Sequence, residues 1–328
     1  MLIAVTGSIA TDHLMTFRGR FSEQLLPDSL DKVSLSFLVE DLQIRRGGVG
    51  PNIAFGMASL GLQPALVGAV GDDFAPYRSW LERHGVDTAS VLVSDVHHTA
   101  RFICTTDADQ NQIASFYAGA MSDARQIEIK PAADCRGGMD LVVVCPNDPD
   151  AMLRHSDECR MRGYPFAADP SQQLARMDGA EIKRLIDGAA YLFTNEYEAA
   201  LTEAKTGWTN AEILERVHVR ITTLGPAGSR IERVGEPTVY VVCPVENRIA
   251  DPTGVGDAFR AGFLTGVAWG LSLERCAQVG SMLATYVIET VGTQEYELSR
   301  ADFLSRLQDA YGDVAVTEVA KHVRCPRP

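Results

Sequence analysis

Apolar residues follow two alternating rhythms along this chain. Short continuous runs at 2–5, 65–70, 91–93, 141–145, 166–168, 191–194 and 217–224 have the length and β-branched content of strands buried on both faces. Between them lie stretches with the 3.6-residue period of amphipathic helices, at 53–60 with Gly61 as its stop, 74–84, 149–162, 179–186, 255–268, 274–290 and 302–310. Strand then helix, repeated, predicts an α/β fold: a doubly wound, mainly parallel sheet with helices on both faces. Beyond Tyr311 the period weakens, and the chain is expected to fray.

Other stretches break that alternation. Residues 33–37 and 42–45 alternate with period two, as a half-exposed antiparallel ribbon does. Residues 99–106 and 112–117 are β-rich and flank the polar turn Asp107-Ala108-Asp109-Gln110-Asn111, so they read as a hairpin. Ribbon and hairpin together predict a small β lid, residues 13–47 and 98–118. The large nucleotide-binding domain takes 1–12, 48–97 and 119–328. Such a lid excludes water and completes a substrate pocket, and its exposed strand edges predict a homodimer through the lid.

Composition narrows the function. With 328 residues, 46% of them hydrophobic, the chain can bury a large core. A formal charge of −13 opposes a nucleic-acid or anionic-membrane partner, which needs concentrated positive surface. The 7 cysteines show no zinc or redox spacing and read as thiols of a reducing cytoplasm. Residues 1–11 read as a first buried strand instead of a signal peptide, and no apolar stretch spans a membrane. The expected location is cytoplasmic.

The candidate chemistry centres on Asp251-Pro252-Thr253-Gly254-Val255-Gly256-Asp257, which opens a helix. Unpaired backbone N–H groups at a helix N-terminus suit an anion such as a phosphate. Asp257 there either caps the helix or takes a proton from a hydroxyl attacking phosphorus. Gly47-Gly48-Val49-Gly50-Pro51-Asn52 is a second loop-to-helix cradle. Ligands collect at the carboxyl ends of strands in such sheets, where Asp12, Asn195, the 223–228 turn and the Asp251 loop are all expected. Asn195 and Glu198, three apart, taken alone read more readily as a solvated helix start than as a binding motif. Phe102 and Phe116 lie on the two hairpin strands, where they either sandwich a planar ligand or pack the lid's own core.

Four signatures in order carry a resemblance: Gly47-Gly48 followed by Asn52, Asn195-x-x-Glu198, Thr223-Leu224-Gly225-x-x-Gly228, and Asp251-x-Thr253-Gly254-x-Gly256-Asp257. In these the chain resembles the ribokinase (PfkB) family of carbohydrate kinases, over nearly its whole length. The stretches 6–13, 169–176 and 251–263 resemble the actinobacterial adenosine kinases within it. The resemblance implies a ribokinase-like fold and adenosine phosphorylation by ATP for purine salvage, with adenosine and ATP as partners. A ribose or fructose kinase is the alternative, and an inactive nucleoside-binding regulator a further one. It implies Asp257 as base, with Gly254 and Gly256 as the anion hole. It implies Ser8, Asp12, Gly48, Asn52, Phe102, Phe116, Gln172 and Gln173 around the substrate. Asn195, Thr223, Gly225, Gly228 and Gly256 would bind ATP. Glu198 would hold magnesium through water, and Asp251 with Thr253 would hold potassium. One departure bears on substrate: family members tend to carry Asn two residues before the sugar-binding Asp, and here that position is Ala10. Loss of that polar partner favours a bulkier, less polar ligand than a free sugar.

Overall fold

The computed structural model describes residues 1–25 and 35–325. The strands of the main sheet are β1 (Ile3–Thr6), β4 (Ala65–Val70), β5 (Val91–Val93), β8 (Leu141–Val144), β9 (Phe166–Ala168), β10 (Tyr191–Asn195), β11 (Val219–Thr223), β12 (Ser229–Glu232) and β13 (Val239–Val241). Their order is β13-β12-β11-β10-β9-β8-β1-β4-β5, parallel from β5 to β11 and antiparallel beyond. Every residue of β1, β4 and β8 is buried, as continuous apolar runs require when helices cover both faces. Ile3 and Val5 join one core while Ala4 joins the other, the period of two splitting a single strand between two helical layers.

Helices α2 (Val49–Ser59), α3 (Ala75–Arg83), α9 (Val255–Ala268), α10 (Leu273–Ile288) and α11 (Arg300–Val319) pack on the first core. Helices α4 (Lys130–Arg136), α5 (Pro149–Arg162), α6 (Gly179–Ile186), α7 (Glu196–Thr206) and α8 (Asn210–Leu214) serve the second. The short α1 (Phe21–Gln24) belongs to the lid region, where Phe21 packs with Phe17 and Phe37. No helix among the described residues is long and apolar enough to cross a membrane.

The lid is one sheet of four strands. Strands β2 (Ala10–Thr16), β3 (Asp41–Gly47), β6 (Ala100–Thr106) and β7 (Gln112–Tyr117) lie in the order β3-β2-β6-β7. The sheet starts at Ala10, which puts Asp12 on the lid and not at the end of the large domain as the expected boundary had it. The partner of β3 is β2, not residues 33–37. Positions 33 and 34 lie outside the described residues, and 35–37 form no strand because Phe37 turns in against Phe17 and Phe21.

The C-terminus also departs from expectation. Instead of fraying at Tyr311, the chain breaks at Gly312 (φ 81°) and runs on helically to Val319, because Ala315, Val319 and Val323 are buried in the main core. The break shifts the apolar phase, which is why no single period was visible there.

Glycines let α9 and α10 touch backbone to backbone. A Cβ on Gly262 would lie 2.7 Å from Gly280 Cα and Val279 O. That crossing holds α9 against the core and so fixes its N-terminus. Gly262→Val is expected to destabilise the fold by about 1–3 kcal/mol through overpacking, read as a lower denaturant midpoint; an unchanged midpoint would mean that the crossing opens freely.

Candidate active site

A cleft of about 520 Å³ lies between the two sheets, at the carboxyl ends of the main strands. Its lid wall follows from strand register. Asp12 pairs with Arg45 and with Phe102, and Phe102 pairs with Phe116, so these four residues form one row across the four strands. Residues directly opposite across a sheet point the same way, and all four line the cleft. Phe116 remains 54% exposed among the described residues.

The floor comes from the large domain. Ser8, Gly48, Asn52, Gln172, Gln173, Asp251, Thr253, Gly254 and Asp257 all face the same cleft. Gly48 has φ 93°, and a Cβ there would meet Ser8 O at 2.5 Å, so only glycine allows the cradle to close on the turn after β1. Gln173 is buried, and its Oε1 has no hydrogen-bond partner among the described residues.

Asp257 stands in the first turn of α9. Gly254, left-handed at φ 78°, is the N-cap, and the N–H groups of Gly254, Gly256 and Asp257 have no backbone acceptor among the described residues. They leave a positive spot beside the carboxylate. Burial pushes Asp257 above the usual carboxylate range. The Asn52 amide, donating to Oδ2 at 2.9 Å, and the Arg260 guanidinium oppose that push. Arg260 is itself buried, 2.5 Å from Asp169 Oδ2 and donating to Gly256 O at 3.0 Å. Burial pushes Asp169 up to about 7, with the Arg260 guanidinium pulling it the other way.

A second cavity of about 410 Å³ opens on the other side of the same turn. Thr223, Gly225, Gly228 and Gly256 line it, with an apolar wall that includes Val255, Phe259 and Ile288. The two cavities meet at α9, with Gly254 and Asp257 facing one and Gly256 the other.

Two expected nucleotide residues lie elsewhere. Asn195 and Glu198 line neither cavity. They form a capping box at the start of α7, with Asn195 Oδ1 accepting from Glu198 N and Glu198 Oε2 accepting from Asn195 N, both at 2.8 Å. Glu198 Oε1 also accepts from Ser171 Oγ at 3.3 Å. Asp251 is engaged too, its oxygens accepting from Thr253 N and Gly292 N, with Arg45 at 3.8 Å.

Sequence reasoning missed Arg45, Arg46, Arg176 and Thr293, which line the cleft, and Gln294, which backs it. Arg45 had a signal, since it alternates onto the face that the β2–β3 register gives Asp12. The Gly292-Thr293-Gln294 loop, after the last helix of the sheet layer, had none.

Residues 6–300 match the profile of the pfkB family of carbohydrate kinases. The chain belongs to that family. A nucleoside kinase of Methanothermobacter thermautotrophicus is 31% identical over 81% of this chain and 86% of its own. A nucleoside kinase of Burkholderia thailandensis, solved with inosine, superposes with a TM-score of 0.82 at 35% identity, over 95% of this chain and 98% of that one. The same enzyme solved with ADP-inosine gives 0.81 at 36%, over 95% and 96%. This pfkB family member is an ATP-dependent phosphotransferase acting on a hydroxyl of a nucleoside or sugar, with a ribokinase-like α/β fold.

In this kinase Asp12 is a cleft-facing carboxylate shifted toward neutrality. Burial pushes it up to about 6, Arg45 pulls it down, and Asp251 and Glu295 push it further up. Carboxyl ¹³C NMR should show Asp12 titrating near pH 6, and Arg45→Met should move that midpoint upward by removing the opposing charge. A midpoint that stays put in the variant would mean that Arg45 does not face Asp12 in solution.

Proposed function

We propose that this chain is a nucleoside kinase that transfers the γ-phosphoryl group of ATP to the 5′-hydroxyl of a purine nucleoside, adenosine first among them. The carrying observation is that one cleft joins Asp257 to an aromatic pair, Phe102 and Phe116, on the facing lid. A purine offers a flat aromatic face that can stack on such a pair, a larger contact than the C–H face of a single sugar ring. Ala10, two residues before Asp12, supports the same reading, and so does the inosine with which the Burkholderia relative was solved.

The chemistry then follows from the residues. Asp12 accepts hydrogen bonds from the ribose 2′- and 3′-hydroxyls, with Ser8, Gly48 and Asn52 closing around the sugar, and Gln172 and Gln173 offer amides to the ligand. Asp257 takes the 5′-hydroxyl proton as the oxygen attacks phosphorus. The backbone N–H groups at Gly254 and Gly256 stabilise the charge gathering on the transferred group, and ATP extends into the cavity of Thr223, Gly225 and Gly228. No covalent enzyme intermediate is needed.

Magnesium would be held mainly by phosphate oxygens and water, and Glu198, with both oxygens already hydrogen-bonded, would meet it only through water. When bound it neutralises phosphate charge. Asn195 acts by fixing Glu198. Potassium does not fit the contacts around Asp251: its oxygens hold backbone N–H groups, and Arg45 supplies the neighbouring positive charge. No step is assigned to it.

A coupled ADP-release assay with adenosine, inosine, ribose and fructose tests the substrate. Adenosine is expected to exceed both free sugars in kcat/KM by about a hundredfold or more, the discrimination a lost apolar contact surface supports. Turnover of ribose or fructose with none of either nucleoside would sink the nucleoside reading.

The lid also supports a homodimer. Among the described residues β3 and β7 are the outer strands of the sheet, and Leu42, Ile44, Ile113 and Tyr117 lie exposed on the face away from the cleft. A second copy is the occupant proposed for that surface. Light scattering at micromolar concentration should give twice the chain mass, and Ile44→Glu should return the protein to monomer; a wild-type monomer would count against it.

A further inference from the structure

The loop after α10 sends a buried amide toward the site. Gln294 is 1% exposed, and its Nε2 lies 2.9 Å from Asn52 Oδ1 and 2.5 Å from the Tyr77 hydroxyl. A carboxamide nitrogen carries two protons and accepts nothing, so both contacts are donations. Tyr77, accepting from Gln294, keeps its own proton for the Gly47 carbonyl at 3.0 Å. Asn52, accepting through Oδ1, must turn its Nδ2 to Asp257 Oδ2 at 2.9 Å. The Thr293 hydroxyl also lies 2.9 Å from Asn52 Oδ1, but it has one proton and a second acceptor, Arg46 O at 3.1 Å. Gln294 is therefore the donor that commits the Asn52 amide.

The chain has a single polarity compatible with a charged Asp257. Turning Asn52 over would set its oxygen against the carboxylate and its nitrogen against the nitrogen of Gln294. We propose that Gln294, backed by Tyr77, is a positioning residue for phosphoryl transfer: it locks the Asn52 carboxamide with its N–H toward Asp257 and so keeps the buried base ionised and aimed. This rests on Asp257 being the base.

Other charges face these groups and remain in any relay variant. Arg260 on α9, Asp169 after β9 and Cys145 after β8 surround Asp257, and Arg46, Asp12 and Glu295 surround Tyr77. Among the described residues Asn52 makes the side-chain hydrogen bond to Asp257, so its orientation is what the relay can change. A hydrogen bond to the charged form holds a carboxyl's pKa down; losing it raises the pKa, so activity fades at a higher pH as the solution is acidified.

The test is steady-state kinetics against pH on the full chain. Gln294→Met should lower kcat about tenfold, leave KM for nucleoside and ATP within about threefold, and move the acid limb of kcat upward by about one pH unit. Tyr77→Phe, which keeps the ring, should move kcat and the limb the same way by less. It carries the test alone if Gln294→Met shows no cooperative melt. A KM rise at constant kcat, or a kcat loss with the acid limb unmoved, overturns the proposal. Asp257→Asn, run alongside, should lose on the order of a thousandfold in kcat. Full turnover in that variant would instead remove the base assignment, while its loss with an unmoved limb in the relay variants would remove only the relay.

Discussion

The proposed chemistry depends on one contact: a buried carboxylate, Asp257, stands beside a helix entry whose unpaired N–H groups suit an anion. Burial drives Asp257 toward its neutral form, and a neutral acid takes no proton. The fold opposes that with a neutral donor, Asn52, and a buried cation, Arg260, and with the unpaired N–H groups of the turn that carries Asp257. None of these sits on a flexible loop. Asn52 is in the first turn of α2 and Arg260 in the second turn of α9, so the electrostatics are built on helices packed against the main core.

The same constraint explains the neighbouring burial of charge. Arg260 would be costly in the interior without a partner, and Asp169 at the end of β9 is that partner. Because the helical turn at Ser171–Ala175 follows Asp169 and carries Gln172 and Gln173, this ion pair ties two cleft-lining amides to the helix that carries Asp257. The lid completes the site from the other side, its register aligning Asp12 with the two phenylalanines across four strands.

Much of the fold was legible because its strands are buried on both faces and its helices on one, which writes period and run length directly into sequence. Legibility failed where a long-range contact overrode the local pattern. Residues 35–37 alternate like a strand, yet Phe37 packs with Phe17 and Phe21. The last helix looks frayed because Gly312 breaks its phase, although both halves reach the core. Asn195 and Glu198 carry a family signature, and locally they spell a capping box, which is how both side chains are used here.

By itself the sequence determined the α/β alternation and the glycine-rich helix entries, with Asp257 placed at one of them, because local sterics and periodicity depend on neighbours along the chain. Tertiary structure alone decided which cavity each residue faces, that Arg45 stands beside Asp12, and that Gln294 reaches Asn52 from 242 positions away. Those are distances set by packing between elements, and no spacing along a single strand or helix encodes them.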